Sequence, residues 1–152
     1  MDIQSILHRI DMFSGLSTNE KDSIAELCQP REYKANEVIF AEKSKGAEMF
    51  IVAKGKIRIE LRVKGKTDCV TVHRLRDGDV FGEIAIVSEA GRSGTAICET
   101  DCELITISRK ALLNLFDRYP RIGYVVMTHL ALVLATRLRK TDLQLVACFL
   151  WE

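Results

Sequence analysis

The chain predicts a mainly β fold with flanking helices, a sandwich or jelly roll with helical segments at both ends. Three observations predict it. Between about Arg31 and Ser108, short apolar runs are separated at close spacing by glycine and polar turns, the pattern of an all-β unit. Before Cys28 and after Ser108, apolar residues instead recur every three or four positions, the period of a helix. At 152 residues there is room for one core. Residues 1–152 are therefore read as a single domain: N-terminal helices at 1–28, a β-barrel at 31–108 and C-terminal helices at 109–151.

Each element has its own signal. Ile3, Ile6, Leu7 and Ile10 form one helical stripe, and Ile24 and Leu27 belong to a second. Phe13-Ser14-Gly15-Leu16-Ser17 separates them, and Ser17 followed by Glu20 spells a capping box, in which each residue satisfies the other's free backbone N–H. Strands are expected at Val38–Phe40, Met49–Val52, Ile57–Val63, Cys69–Val72, Gly94–Cys98 and Glu103–Ile107. Ile57-Arg58-Ile59-Glu60-Leu61-Arg62-Val63 alternates apolar and charged residues, as a strand with one buried face does. Gly65-Lys66 then turns the chain back into Cys69-Val70-Thr71-Val72, a hairpin. Arg109 to Tyr119 carries Leu112, Leu113, Leu115 and Phe116, and Pro120 ends that helix or opens the next. From Ile122 onward apolar residues cover more than one helical face. One face suffices for the barrel, so the surplus implies a second copy of the same helix and hence a homodimer.

Composition excludes several classes. The chain is 47% hydrophobic and 28% charged, the balance of a globule rather than a disordered segment. Twenty-two basic and 21 acidic residues leave a net charge of +1, so direct nucleic-acid binding is not expected. The five cysteines are odd in number and form no Cys-x-x-Cys pair, and Met1-Asp2-Ile3-Gln4 does not open a signal peptide. Reduced thiols in a cytoplasmic protein are the expectation. Ile122–Leu134 falls short of the roughly 20 apolar residues of a membrane span and is read as a buried helix, with no membrane association. His8, His73 and His129 fall on three separate elements, so no metal is expected, and a jelly-roll metal enzyme is the disfavoured alternative.

The chemistry concentrates between Asp77 and Ala96. Phe81-Gly82-Glu83-Ile84-Ala85 closes a strand and opens what reads as one helical turn, whose unpaired amides favour an anion. Gly82 has no Cβ to keep a ligand from the backbone. Arg92, nine residues after Glu83, carries a planar guanidinium suited to bidentate phosphate contact, and Ser93 adds a hydroxyl. Glu83 can accept a hydrogen bond from a sugar hydroxyl, its charge balanced by Arg92. One anion, one diol and one arginine describe a ribose phosphate.

Phe-Gly-Glu-Ile-Ala-Ile followed at this spacing by Arg-Ser-Gly-Thr-Ala resembles the phosphate-binding cassette of cyclic nucleotide-binding domains. That family includes the catabolite activator proteins and the regulatory subunits of cAMP-dependent kinase. Phe50–Ile57, Leu75–Gly82 and Arg137–Asp142 are similar to three further segments of the family, in order. The resemblance implies a double-stranded β-helix (jelly-roll) barrel with N-terminal helices and a long C-terminal helix. It implies that Glu83 binds the ribose 2′-hydroxyl and Arg92 the cyclic phosphate, with Ser93 and the amides of Gly82, Ile84 and Ala85 completing the cradle. Thr141 would meet the purine, and Val70 and Val72 are expected as apolar base contacts. This chain departs from the family at Lys43-Ser44, where many members have Gly-Asp, and at Gly94, where alanine is frequent and a looser strand is expected. Asp142 replaces a residue that is usually neutral and polar.

The expected function is a regulatory sensor that binds cAMP or cGMP and changes conformation, with no catalysis and no cofactor beyond that ligand. The alternative is the ligand-sensing part of an activator-type transcription regulator, its DNA-binding domain missing from this chain.

Overall fold

The computed structural model describes residues 1–151. Helix α1 (Ile3–Leu7) is capped by Asp2, and α2 (Thr18–Ala25) by the Ser17/Glu20 box. In that box Ser17 Oγ accepts from the Glu20 amide at 3.2 Å and the Glu20 carboxylate accepts from the Ser17 amide at 2.9 Å. A 3₁₀ turn, Asp11–Phe13, joins them. Eight strands follow: β1 (Gln29–Tyr33), β2 (Val38–Phe40), β3 (Glu48–Lys54), β4 (Ile57–Arg62), β5 (Cys69–Leu75), β6 (Val80–Phe81), β7 (Thr95–Cys98) and β8 (Cys102–Ser108). The one-turn α3 (Ile84–Val87) interrupts them, and α4 (Arg109–Arg118) and α5 (Pro120–Leu150) close the chain. Pro120 opens α5, where its missing N–H costs nothing.

The strands form two antiparallel four-stranded sheets, ordered β1-β8-β3-β6 and β2-β7-β4-β5. Strand β3 explains why the core has two parts. Met49 and Ile51 join β8's Ile105 and Ile107 in a cluster with Leu7, Phe13, Ile24, Leu112 and Val126 of the helical segments. Phe50 and Val52 join Ile57, Phe81, Ala96 and Leu104 in a second cluster. A strand points alternate residues to opposite faces, so covering both faces buries every residue from Met49 to Val52.

Strand β1 was not among the expected strands. It lies at a sheet edge, is largely exposed and contains Pro30, which an edge tolerates. Helix α5 corrects a second expectation. Only Ile122, Gly123, Val126 and Leu130 are buried, while Tyr124 and Leu132 are 74% and 61% exposed. The segment Ile122–Leu134 is thus not a fully buried helix. By length, and with an 18-residue stretch of mean hydropathy 1.2, α5 is apolar enough to cross a membrane, although its first turns pack into the domain core.

Candidate functional site

Strand β6 delivers the chain to Gly82, whose φ of +69° lies where a Cβ is strained. A Cβ there would also stand 2.8 Å from Arg92 Nη1 and 3.2 Å from Phe50. This bend places Glu83 at the start of α3, almost wholly buried at 2% exposure. After α3 the chain turns through Gly91 (φ +94°) and brings Arg92 back over the same bend. Arg92 Nη1 donates to the Gly82 carbonyl at 3.2 Å.

Arg92 is 8% exposed, and its guanidinium lies on an aromatic floor. Its Cζ is 4.2 Å from the centre of the Phe40 ring and 5.6 Å from that of Phe50. Phe50 and Phe81 stack at 5.0 Å beneath. Among the described residues no carboxylate pairs with Arg92, and its buried Nε has no hydrogen-bond partner. Burial pulls its pKa below the ordinary value, with Glu48 and Glu83 acting in the opposite direction. A buried cation without a counter-charge is costly. An anion entering here would relieve it.

Glu83 is not balanced by Arg92, as the sequence led us to expect. Its ion pair is with Arg137 of α5. Glu83 Oε1 lies against that guanidinium without hydrogen-bond alignment, leaving acceptor capacity. Glu89 is likewise taken by Arg109, at 2.7 Å. The carboxylates near Arg92 in sequence are therefore held by other arginines.

These groups line a cavity of about 310 Å³, which Gly82, Glu83, Ile84, Ala85, Arg92, Ser93, Val72 and Thr141 all border. Val70 does not border it and is half exposed. It pairs with Leu61 nearer the hairpin tip, and a bulge at Val72, the extra β5 residue between Thr71 and His73, breaks the alternation that would have put the two valines on one face. The Ala85 amide, expected in the phosphate cradle, already donates to the Gly82 carbonyl at 3.2 Å. Thr141 Oγ1 donates to the Arg137 carbonyl at 2.9 Å.

A family model described as cyclic nucleotide-binding domain matches residues 30–119, more than half of the chain. This chain belongs to the cyclic nucleotide-binding domain family. It is 34% identical over 134 residues to the cyclic AMP receptor protein of Thermus thermophilus, covering 88% of this chain and 60% of that protein. It is 28% identical over 141 residues to a CRP-like cAMP-activated global transcriptional regulator of Mycobacterium tuberculosis, covering 92% and 60%. The chain thus spans about 60% of the length of these curated relatives. The crystal structure of the Thermus thermophilus catabolite activator protein superposes with a TM-score of 0.77 at 34% identity, covering 88% of this chain and 61% of that one. The regulatory domain of Toxoplasma gondii PKA with cAMP shares the fold, with a TM-score of 0.75 at 20% identity, covering 91% and 49%.

Of the residues of this cyclic nucleotide-binding domain's cavity that carried no expected role, three bear directly on Arg92 and Glu83. Phe40 supports Arg92 from β2, and nothing local to Val38-Ile39-Phe40 marks it. A Cβ on Gly46 would lie 1.9 Å from Arg92 Nε, so only glycine leaves room for the guanidinium. Its one sequence signal is that it is the single glycine between β2 and β3. Arg137 sits four residues, one helical turn, before Thr141, and that spacing was the available clue. The departures at 43 and 94 also resolve. Lys43 takes φ +67°, the left-handed conformation that glycine holds more cheaply. Gly94 does not loosen its strand, because Ile59 and Leu61 crowd it: a Cβ there would meet Ile59 Cγ2 at 2.9 Å.

Proposed function

We propose that this chain is the cyclic nucleotide-sensing unit of a regulator and that cAMP is its ligand. The observation that carries the proposal is Arg92: a buried, carboxylate-free guanidinium on an aromatic floor, facing a cavity that also holds Glu83. The cyclic phosphate would pair with Arg92, with the Ser93 hydroxyl and the Gly82 and Ile84 amides beside it. The ribose 2′-hydroxyl would donate to Glu83. Thr141 supports adenine over guanine. Its hydroxyl proton is spent on the Arg137 carbonyl, so it offers the base only lone pairs. The 6-amino group of adenine donates to such an acceptor, whereas the 6-oxo group of guanine does not.

The chain acts in this reading as a receptor rather than an enzyme. Arg137 joins α5 to Glu83, so contact at the ribose is felt by the long helix, and the ligand shifts α5 by its differential affinity for two arrangements. The exposed apolar distal part of α5 supports a homodimer through that helix. The five free thiols support a cytoplasmic setting. The name of the Mycobacterium tuberculosis relative favours a second reading, the sensing part of a transcription regulator. Calorimetric titration with cAMP and cGMP tests the site. The chain is expected to bind cAMP more tightly, Arg92→Ala to lose at least tenfold, about 1.4 kcal/mol, and Thr141→Val to weaken cAMP more than cGMP. Equal binding by Arg92→Ala and the parent chain would overturn the placement of the phosphate.

A further inference from the structure

The near-neutral total charge of +1 hides a concentration of positive charge at one end of the second sheet. The turn after β2 carries Lys43 and Lys45, and the β4–β5 hairpin carries Arg62, Lys64 and Lys66. Against these five cations stand Glu42 and Asp68, and Glu42 is already committed: its Oε2 accepts from the Arg62 amide at 3.2 Å. Among the described residues none of the five cations takes part in an ion pair. Turn and hairpin border a cleft of about 700 Å³, walled by Ala41, Lys43, Arg62, Lys64, Cys69 and Thr95 among others.

Both walls are held by backbone hydrogen bonds. The Lys43 amide donates to the Arg92 carbonyl at 2.8 Å and the Arg92 amide donates to the Ser44 carbonyl at 2.8 Å. Across the cleft, the Val63 amide donates to the Asp68 carbonyl at 3.2 Å and the Lys66 amide to the Val63 carbonyl at 3.0 Å. Lys43 on one side and Arg62 and Lys64 on the other thus line the concavity from anchored backbone, with Glu42 as the one carboxylate among the lining residues, while Lys45 and Lys66 belong to the same turn and hairpin without lining it. Repulsion among them is relieved by a multivalent anion.

We propose that this cleft is a docking groove for an extended acidic segment of a partner protein. Charge complementarity sets the sign of the partner. Cations on two walls, rather than on one flat face, suit a narrow chain running between them, its carboxylates meeting lysines on alternate sides. Among the described residues no aromatic ring lines the cleft to stack nucleic-acid bases, and no large apolar side chain lines it to enter a bilayer. A single exposed ion pair contributes little, so the affinity must come from several cations together. The inference concerns a surface outside the nucleotide cavity and does not rest on what that cavity binds.

Fluorescence anisotropy of a labelled hexaglutamate peptide, with the full chain and no nucleotide, tests it. The peptide is expected to bind, a hexaglutamine control not to bind, and rising salt to weaken the complex. Reversal of charge in Lys43→Glu/Lys64→Glu/Lys66→Glu is expected to weaken binding at least tenfold. Reversal at the β3–β4 turn, Lys54→Glu/Lys56→Glu, is expected to change it less than twofold. Thermal melts confirm that each variant is folded, and the groove-neutralised Lys64→Gln/Lys66→Gln variant should show an intermediate loss. Absence of peptide binding, or equal loss from the two reversals, overturns the proposal. So does tighter groove-dependent binding of a single-stranded oligonucleotide or of phosphatidylserine vesicles.

Discussion

The cassette around Gly82–Arg92 and the distal half of α5 break the ordinary rule of burial in opposite directions. The cassette hides charge, with Glu83 and Arg92 2% and 8% exposed. Distal α5 exposes what is usually hidden: Leu143 is 72% exposed, Phe149 68% and Leu150 80%. In the reading proposed above, each region takes a partner of its own kind, a small anion in one case and an apolar surface in the other. The supporting structure differs too. In the cassette a left-handed glycine, an aromatic floor and two arginines constrain one another within a few ångströms. In the distal helix, beyond Thr141, the side chains are exposed with no packed neighbour among the described residues, and their periodicity alone organises them.

The comparison breaks most sharply at Gly82. Gly82→Ala puts a Cβ at positive φ and against Arg92 Nη1. We expect nucleotide affinity to fall more than tenfold and unfolding free energy to fall by about 1–2 kcal/mol. Calorimetry and urea unfolding check both, and unchanged affinity would mean that the bend does not position the guanidinium. The distal helix should behave oppositely. Leu145→Glu with Phe149→Glu is expected to weaken self-association at least tenfold by sedimentation equilibrium. The urea midpoint, measured where both chains are monomeric, should barely move, because neither side chain is buried within the monomer.

The smallest effect sits at the seam, where His73 of β5 borders the cavity beside α5. Burial pushes its pKa below 6.5, Arg137 and Lys140 add to that, and Glu83 opposes them. The folded chain therefore holds fewer protons at His73 than the unfolded chain does. That contribution to stability is complete above pH 6.5 and declines as the pH falls through the lowered folded value. His73→Gln is expected to flatten this part of the profile between about pH 7.5 and about pH 5. An identical slope in parent and variant would assign the dependence to another group.

The expected strands, the capping box and the surplus apolar surface of α5 were legible because each is written in residues close together in the chain. The cassette was legible for the same reason: Gly82, Glu83, Arg92 and Ser93 span a short stretch with a recognisable spacing. What was illegible depended on distance. Glu83 and Arg137 lie 54 positions apart, so the charge balance of Glu83 was assigned to the arginine nearer in sequence. Phe40 and Gly46 matter only because two turns fold onto Arg92. Val70 was expected beside Val72 from alternation along the strand, and the bulge at Val72 that breaks that alternation is set by pairing with β4.

Local spacing alone therefore set most of the strands (though not β1), the capped start of α2 and the short stretch from Gly82 to Ser93 in which the polar residues gather. Periodicity, capping and turn formation act over a few residues, within reach of a reading along the chain. The folded arrangement decided which guanidinium stays unpaired, which carboxylate is held by α5 and where the helix ceases to be covered. Those outcomes arise from packing between elements far apart in the chain, where burial rather than sequence proximity chooses the partner.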